Sequence, residues 1–450
     1  MRRQKREDKS LKPGAIFSHA RETKSFISSF LIAAVLLSAS FCFVSPVSPQ
    51  AAPASSPEKT LEVFDEVWET IEENYYDRNL RGLDWKAERV KFRTLAARVK
   101  TQEELYRLLR EMISDLRDSH TRIYAPEEKF DWRKPRAVTV GLSIREVENE
   151  LVVAKIAEDS AAAKAGLKVG DVVTSVDDQA AKILFARKIE EKRGASTPAA
   201  ARYRAAASLF EGAAGTTARV CWRREDSIPE RCAGLPREWR EFGANLRANR
   251  EKDVLIIGFD SFTADAVRDF FEVLRQHSRS NLKGIVLDFR SNRGGDIQAL
   301  TDAVSAFLPA KTKIGKFIDR KGRVAIETDA RQSSIYAPNL PRFQNKPVVV
   351  LTGTSTASAA EIFAAGLKNA RRARVIGTTT CGCVLGVKTR YSLPDGGALE
   401  ISELDFQLAN GERLEGTGVT PDDFIELKRD DLKQNRDRAL EKAIEHLQKS

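Results

Sequence analysis

Between Val254 and Ala370 the chain passes through six segments in which continuous apolar runs alternate with helical periodicity, and few architectures accept that pattern. VLIIGFDSF, GIVLDF and PVVVLTG are apolar almost throughout, as strands are when both faces of a parallel sheet are covered. AVRDFFEVLRQH, IQALTDAVSAFL and AAEIFAAGLKNA space their apolar residues as helices do, and they supply the crossovers that parallel strands need. The expectation is an α/β core over 250–428 with crossover helices, followed by a C-terminal helix at 429–450.

The 450 residues leave room for further units. Leu61, Phe64, Trp68, Ile71 and Tyr75 share one helical face. A second helix opens on a capping box, Thr101 with Glu104, and ends at D-S-H-T. Residues 58–135 therefore read as an N-terminal helical unit, with Ser119 and His120 just past its last helix. From Val138 the pattern becomes that of strands: VTVGLSI, ELVVAKI and VVTSV, with DSAAAKAGLKVGD between the last two. This β-rich module, 137–235, resembles a PDZ domain. Gly141-Leu142 stands where such a domain opens its carboxylate-binding loop, and Ala165–Asp171 where A-G-L-x-x-G-D precedes a central strand. The resemblance implies that Gly141 and Leu142 bind peptide. A polar, Ala-rich stretch at about 186–212 is expected as an insertion that contains the PDZ binding helix.

The net charge of +10 is not a nucleic-acid footprint. Residues 1–52 hold eight Lys/Arg against three Asp/Glu, which leaves 66 against 61 elsewhere, a mixed solvated surface. No nucleic-acid partner is expected. The basic stretch to Lys24, the apolar run Phe26–Val44 and the Pro/Ser/Ala-rich exit follow the order of a secretory signal. The run is also near the length of a membrane span. The expectation is an exported protein, periplasmic or extracellular, with 1–52 either cleaved or kept as a membrane anchor through residues 26–44. In an oxidising compartment Cys221 and Cys232 can pair, whereas the tight spacing of Cys381 and Cys383 in T-C-G-C argues against a bridge between them. No histidine cluster accompanies the cysteines, so no zinc site is expected.

Three core segments carry polar residues where chemistry can be done. LDFRSNRGGD runs from a strand into Gly294-Gly295, LTGTSTASAAEIF places Ser358 before a helix, and LEGTGVTPD contains Glu415. A serine before a helix is most often only an N-cap. The same position aims backbone N–H groups and the helix dipole at a developing oxyanion, and Gly294 or Gly295 can bring a second donor close.

The order of the PDZ-like module, D-x-R-x-N-x-G-G at 288–295, S-T-A-S-A-A-E at 355–361 and E-G-x-G-V-x-P-D at 415–422 resembles the C-terminal processing, or tail-specific, serine peptidases. That resemblance implies Ser358 as nucleophile and protein or peptide substrates with free C-termini. Where the family carries its lysine base, this chain has Cys383; Lys388 is the nearest lysine beyond it. F-x-E-V-W, G-L-D-W and D-S-H-T are similar to a tricorn-like branch, which implies His120 as base, with Ser119 and Glu415 orienting it. Ala359 replaces the acidic residue that follows the nucleophile in that branch, and its N–H joins one glycine N–H in the implied oxyanion hole. Such chemistry calls for no cofactor and no metal, and a histidine base lets activity rise near pH 6.5. The alternative is an inactive pseudo-peptidase that binds C-terminal peptides through its PDZ groove. A third reading, Cys383 as nucleophile, lacks a helix N-terminus and a base.

Overall fold

The computed structural model describes residues 57–128, 136–225, 229–241, 246–331 and 343–449. The signal or anchor expected in 1–52 lies outside them, as does Cys42. Among the described residues no helix is long and apolar enough to cross a membrane.

The N-terminal unit has one helix more than the sequence pattern revealed. Pro57–Asn74 and Gln102–Ser114 flank Trp85–Ala96, whose N-cap Asp84 accepts the Ala87 N–H at 3.0 Å. Its few apolar residues hid the amphipathic signal; Trp85, Phe92 and Ala96 are the ones it buries. Trp68 and Trp85 stack at 6.2 Å, and each indole N–H donates to the other residue's carbonyl oxygen, at 2.8 and 3.1 Å. Such reciprocal bonds let two large amphipathic rings be buried without orphaned donors.

The β-rich module builds a sheet from Leu142–Val147, Glu150–Ile156, Val172–Val176, Thr217–Arg223 and Arg231–Pro236. Cys221 and Cys232 sit opposite each other on its last two strands and are disulfide-bonded. The stretch 186–212, expected as an insertion that contains a helix, holds the end of helix Ala181–Glu191 and the whole of helix Pro198–Ala207. Pro198 sits at the first turn, where its missing N–H costs nothing, and Thr197 Oγ1 accepts the Ala200 N–H at 3.1 Å. Ala200, Ala201, Ala205 and Ala206 are buried. Alanine there permits close approach to neighbouring backbone and is not a sign of solvation.

The core sheet runs Arg247–Glu251, Val254–Gly258, Gly284–Asp288, Val348–Thr352, Ala373–Gly377, Asp423–Phe424. All pairings are parallel except the first. Every residue of Val254–Gly258 and Val348–Thr352 is buried, which is why those segments read as unbroken apolar runs. One face is covered by helices Ala264–Gln276, Ile297–Val304 and Ala359–Asn369, through a phenylalanine cluster of Phe259, Phe262, Phe270, Phe289, Phe307 and Phe363. The other face takes Ala439, Ala443, Ile444 and Leu447 of helix Arg438–Lys449. That helix follows a short one, Arg429–Lys433, so the C-terminal segment is two helices and not one.

A second, antiparallel sheet escaped the sequence reading because its strands are irregularly buried. In it Ala398–Leu408 pairs with Lys313–Asp319, with Gly386–Ser392 and with Arg122–Tyr124. The last pairing joins the helical unit to the core in the register Arg122↔Glu400, two residues beyond His120.

Phe363, fully buried against Phe262, Phe289 and Phe307, anchors the helix that begins at Ser358. Phe363→Ala should destabilise the protein by about 3–5 kcal/mol. Thermal or denaturant unfolding measures this, and a loss under about 1 kcal/mol would mean the cluster does not anchor that helix.

Candidate active site

Ser358 is the N-cap of helix Ala359–Asn369 and holds φ +55. A non-glycine residue there costs about 1–3 kcal/mol and persists only where surroundings enforce it. Here they do. The Ser358 N–H donates to the Cys383 carbonyl at 2.8 Å and to Glu361 Oε2 at 3.0 Å. On its other side lies Gly294, φ +93: a Cβ there would come within 2.6 Å of Ser358 Cβ and 2.9 Å of Ala359 N. Only glycine permits this approach.

The Gly294 N–H is already committed, donating to Asn292 Oδ1 at 2.9 Å. Asn292 is fully buried and donates in turn to the Phe259 carbonyl at 2.9 Å. Of the oxyanion donors expected from the sequence, Gly295 and Ala359 keep N–H groups with no partner among the described residues, and Gly294 serves as the spacer.

Glu361 is the residue that sequence reasoning missed. Its carboxylate is wholly buried and accepts four donors: the Ser358 N–H, Thr380 Oγ1 at 2.5 Å, Gly382 N–H at 2.7 Å and Cys383 N–H at 2.9 Å. Burial pushes its pKa up to about 7, while the four donors pull it down. The signal was present in the S-x-x-E spacing from Ser358, one half of a capping box.

Cys381 and Cys383 are disulfide-bonded, contrary to the expectation from their spacing. Gly382 between them adopts φ +68 and folds the tripeptide until the two Cα atoms are 5.2 Å apart, inside the range a bridge requires. Cys383 therefore offers no thiolate, and the third reading falls. Its Sγ lies 3.3 Å from Ser119 Oγ.

Ser119 thus reaches the site, but it does not orient the histidine. Its hydroxyl accepts the Ser196 N–H at 3.0 Å, and its own N–H donates to Ser196 Oγ at 3.1 Å. Glu415 accepts the Val384 N–H at 2.9 Å, pairs with Arg81 at 3.3 Å and takes a hydrogen bond from Ser196. Burial pushes its pKa up to about 7, with Asp118 adding to the rise. No hydrogen bond joins the His120 ring to Ser358, Ser119 or Glu415 among the described residues, and its shielded Nδ1 is unpartnered. Desolvation lowers the imidazole pKa to about 4; Asp118 opposes this, and Arg122 and Arg204 reinforce it. The ring is neutral at physiological pH.

Lys388 is exposed on Gly386–Ser392, and no hydrogen bond joins its side chain to Ser358 among the described residues. Gly141 donates its N–H to Thr139 Oγ1 at 3.1 Å, so that donor is not open to a peptide carboxylate. Leu142 is buried and pairs with Ile156. A cavity of about 800 Å³ runs from Arg145, Glu146 and Val147 on the strand after this loop to Gly353, Thr354 and Ser355, which precede Ser358 in the chain.

Residues 253–425 match the model of peptidase family S41, 138–186 that of the PDZ domain, and 56–114 that of the tricorn protease C1 domain. The chain is 28% identical over 410 residues to the chloroplastic carboxyl-terminal-processing peptidase 2 of Arabidopsis thaliana, covering 87% of this chain and 73% of that one. It is 26% identical to the carboxyl-terminal-processing protease of Synechocystis sp., covering 80% and 79%. In fold it is similar to mature CPAF (TM-score 0.64, 13% identity, covering 87% of this chain and 96% of that one). It is similar also to a photosystem II D1 C-terminal processing protease (TM-score 0.52, 23% identity, covering 83% and 94%). Together these similarities support a C-terminal processing peptidase family for the chain and a serine-type peptidase activity.

Gly294→Ala should lower hydrolysis at least about 10²-fold, because the added methyl displaces Ser358 and the Ala359 donor together. Casein digestion beside a thermal melt checks it; an active and stable variant would show that this contact does not hold the nucleophile.

Proposed function

We propose that this S41 peptidase is an exported endopeptidase that cleaves C-terminal tails or partly unfolded proteins, with Ser358 as nucleophile and His120 as base. The observation that carries the reading is the placement of Ser358. It stands at a helix N-terminus in a strained conformation, against Gly294, with two unpaired N–H donors at Ala359 and Gly295. In this mechanism His120 removes the hydroxyl proton as Ser358 attacks the scissile carbonyl, and the oxyanion forms against those two amides. The imidazolium then returns the proton to the leaving amine. No hydrogen bond joins the His120 ring to the Ser358 hydroxyl among the described residues, and the mechanism requires that the two come within hydrogen-bond reach.

Export is supported by the basic-then-apolar order of the first 44 residues and by two disulfides in the described chain. Tail recognition is supported by the PDZ match and by the cavity that links the strand Leu142–Val147 to the nucleophile loop. A peptide added to that strand would gain main-chain hydrogen bonds and lead toward Ser358.

The test is digestion of casein by the full chain and its variants. Ser358→Ala should abolish hydrolysis with the fold intact, and His120→Ala should cost on the order of 10²–10⁴ in rate. Lys388→Ala should change little. An active His120→Ala beside an inactive Lys388→Ala would overturn the assignment of the base. Undiminished hydrolysis by Ser358→Ala would overturn that of the nucleophile.

Two further outcomes are expected. Because desolvation sets the His120 pKa at about 4 and not near 6.5, kcat/KM should climb through about pH 4 and be flat by pH 6.5. A climb centred near pH 6.5 would mean the imidazole is hydrated in the working enzyme. A peptide with a free C-terminus should be cleaved faster than its amide, and equal rates would count against tail recognition.

A further inference from the structure

The disulfide Cys381–Cys383 lies in the middle of the site and has no role in the proposed chemistry. Both cysteines are buried, and their side chains pack with Ala195, Ala200, Ala201 and Ala357. Every backbone polar group of the tripeptide that is bonded goes to a functional segment. The Cys381 N–H donates to the Thr356 carbonyl at 2.9 Å, and the Cys381 carbonyl accepts Thr197 Oγ1 at 2.8 Å. The Gly382 and Cys383 N–H groups go to Glu361, and the Gly382 carbonyl accepts the Gly416 N–H at 2.9 Å. The Cys383 carbonyl accepts the Ser358 N–H at 2.8 Å.

We propose that Cys381–Cys383 is a redox-exchangeable site whose disulfide holds the nucleophile in its active conformation and whose reduction releases it. The inference rests on Ser358 as the nucleophile. Thiol–disulfide exchange with an external dithiol proceeds through a mixed disulfide: one thiolate attacks a cystine sulfur, and the second resolves the intermediate. Two electrons and two protons pass to the cystine, leaving two protein thiols and an oxidised dithiol. The reverse reaction, with a disulfide as oxidant, restores the bridge.

Reduction has a steric consequence. Two thiol sulfurs in van der Waals contact lie roughly 1.5 Å further apart than two bonded ones. The space around the pair is limited: one sulfur lies 3.3 Å from Ser119 Oγ, and the buried side chains pack against Ala195, Ala200, Ala201 and Ala357. A close-packed site relieves such crowding by moving backbone. The backbone at hand is the Cys383 carbonyl that fixes Ser358. A misplacement of about 1 Å at a nucleophile can cost about 10²-fold in rate.

The experiment uses the full chain in reduced and in oxidised dithiothreitol. Alkylation and peptide mapping report the thiols, amide hydrogen exchange reports residues 356–362, and casein digestion reports activity. Once Cys381 and Cys383 are reduced, the Ser358 region should exchange about tenfold faster, kcat should fall about 10²-fold, and both should recover on reoxidation. Cys381→Ser/Cys383→Ser should exchange at the faster rate in both buffers. Cys221→Ala/Cys232→Ala should respond as the parent does, which assigns the effect to the catalytic pair. The proposal is overturned if the pair resists reduction in the folded chain, or if its thiols are freed with exchange unchanged. It is overturned equally if the response vanishes with Cys221 and Cys232. Because hydrogen exchange needs no turnover, a chain that hydrolyses nothing in either buffer would refute the peptidase mechanism and leave this inference to the exchange data.

Discussion

The Glu361 carboxylate is the point from which the geometry around Ser358 hangs. Four donors converge on it from three places in the chain: Ser358, Thr380 and the Gly382-Cys383 pair. Each donor left unsatisfied in a buried site would cost about 1–3 kcal/mol, so the group forms together or not at all. The network extends outward. Thr380 Oγ1 also accepts the Val419 N–H at 2.6 Å, and the Gly382 carbonyl accepts the Gly416 N–H, which ties the Glu415 segment to the loop that holds Ser358. A serine held at φ +55 is stable only inside such an over-determined frame.

Delivery of His120 follows a different logic, that of a sheet edge. The histidine belongs to a unit whose hydrophobic core takes in Leu399 and Ile401 of the antiparallel sheet, and a three-residue strand pairs that unit with the same sheet. Side-chain and backbone bonds reinforce that short pairing. Thr121 Oγ1 accepts the Ser402 N–H at 3.1 Å, the Ser402 carbonyl accepts the Tyr76 N–H at 2.8 Å, and Asp118 caps the turn by accepting the His120 N–H at 2.8 Å. Register within a ladder moves in whole residues, so the position of His120 is quantised by the Arg122↔Glu400 pairing.

The parallel core was legible because its strands are apolar on both faces and its helices are amphipathic. Those signals are local, and residues such as Val254–Gly258 and Phe270 carry them alone. Ser358 and the glycines were legible for the same reason, as a strand–turn–helix pattern. The contacts that assemble the site are not local. Glu361 declared itself only as half of a cap, and its bonds to Gly382 and Cys383 span about twenty residues. Ser196 and Thr197 carry no chemical signature in sequence, yet they seat the β-rich module on Ser119 and Cys381. The Cys381–Cys383 bridge was misjudged because spacing says nothing of a glycine in the left-handed region, which brings two near neighbours into bonding geometry.

The seating of that module also explains the environment of His120. Gly194, Ser196 and Thr197 lie against Ser114, Ser119 and Cys381, and Arg204 on the following helix adds positive potential at the imidazole. Burial and positive charge both disfavour imidazolium, and together they outweigh the attraction of Asp118. In the mechanism proposed above, that environment keeps the histidine neutral, as a base must be, and makes it a weak one, since it opposes the charge acquired on taking the serine proton.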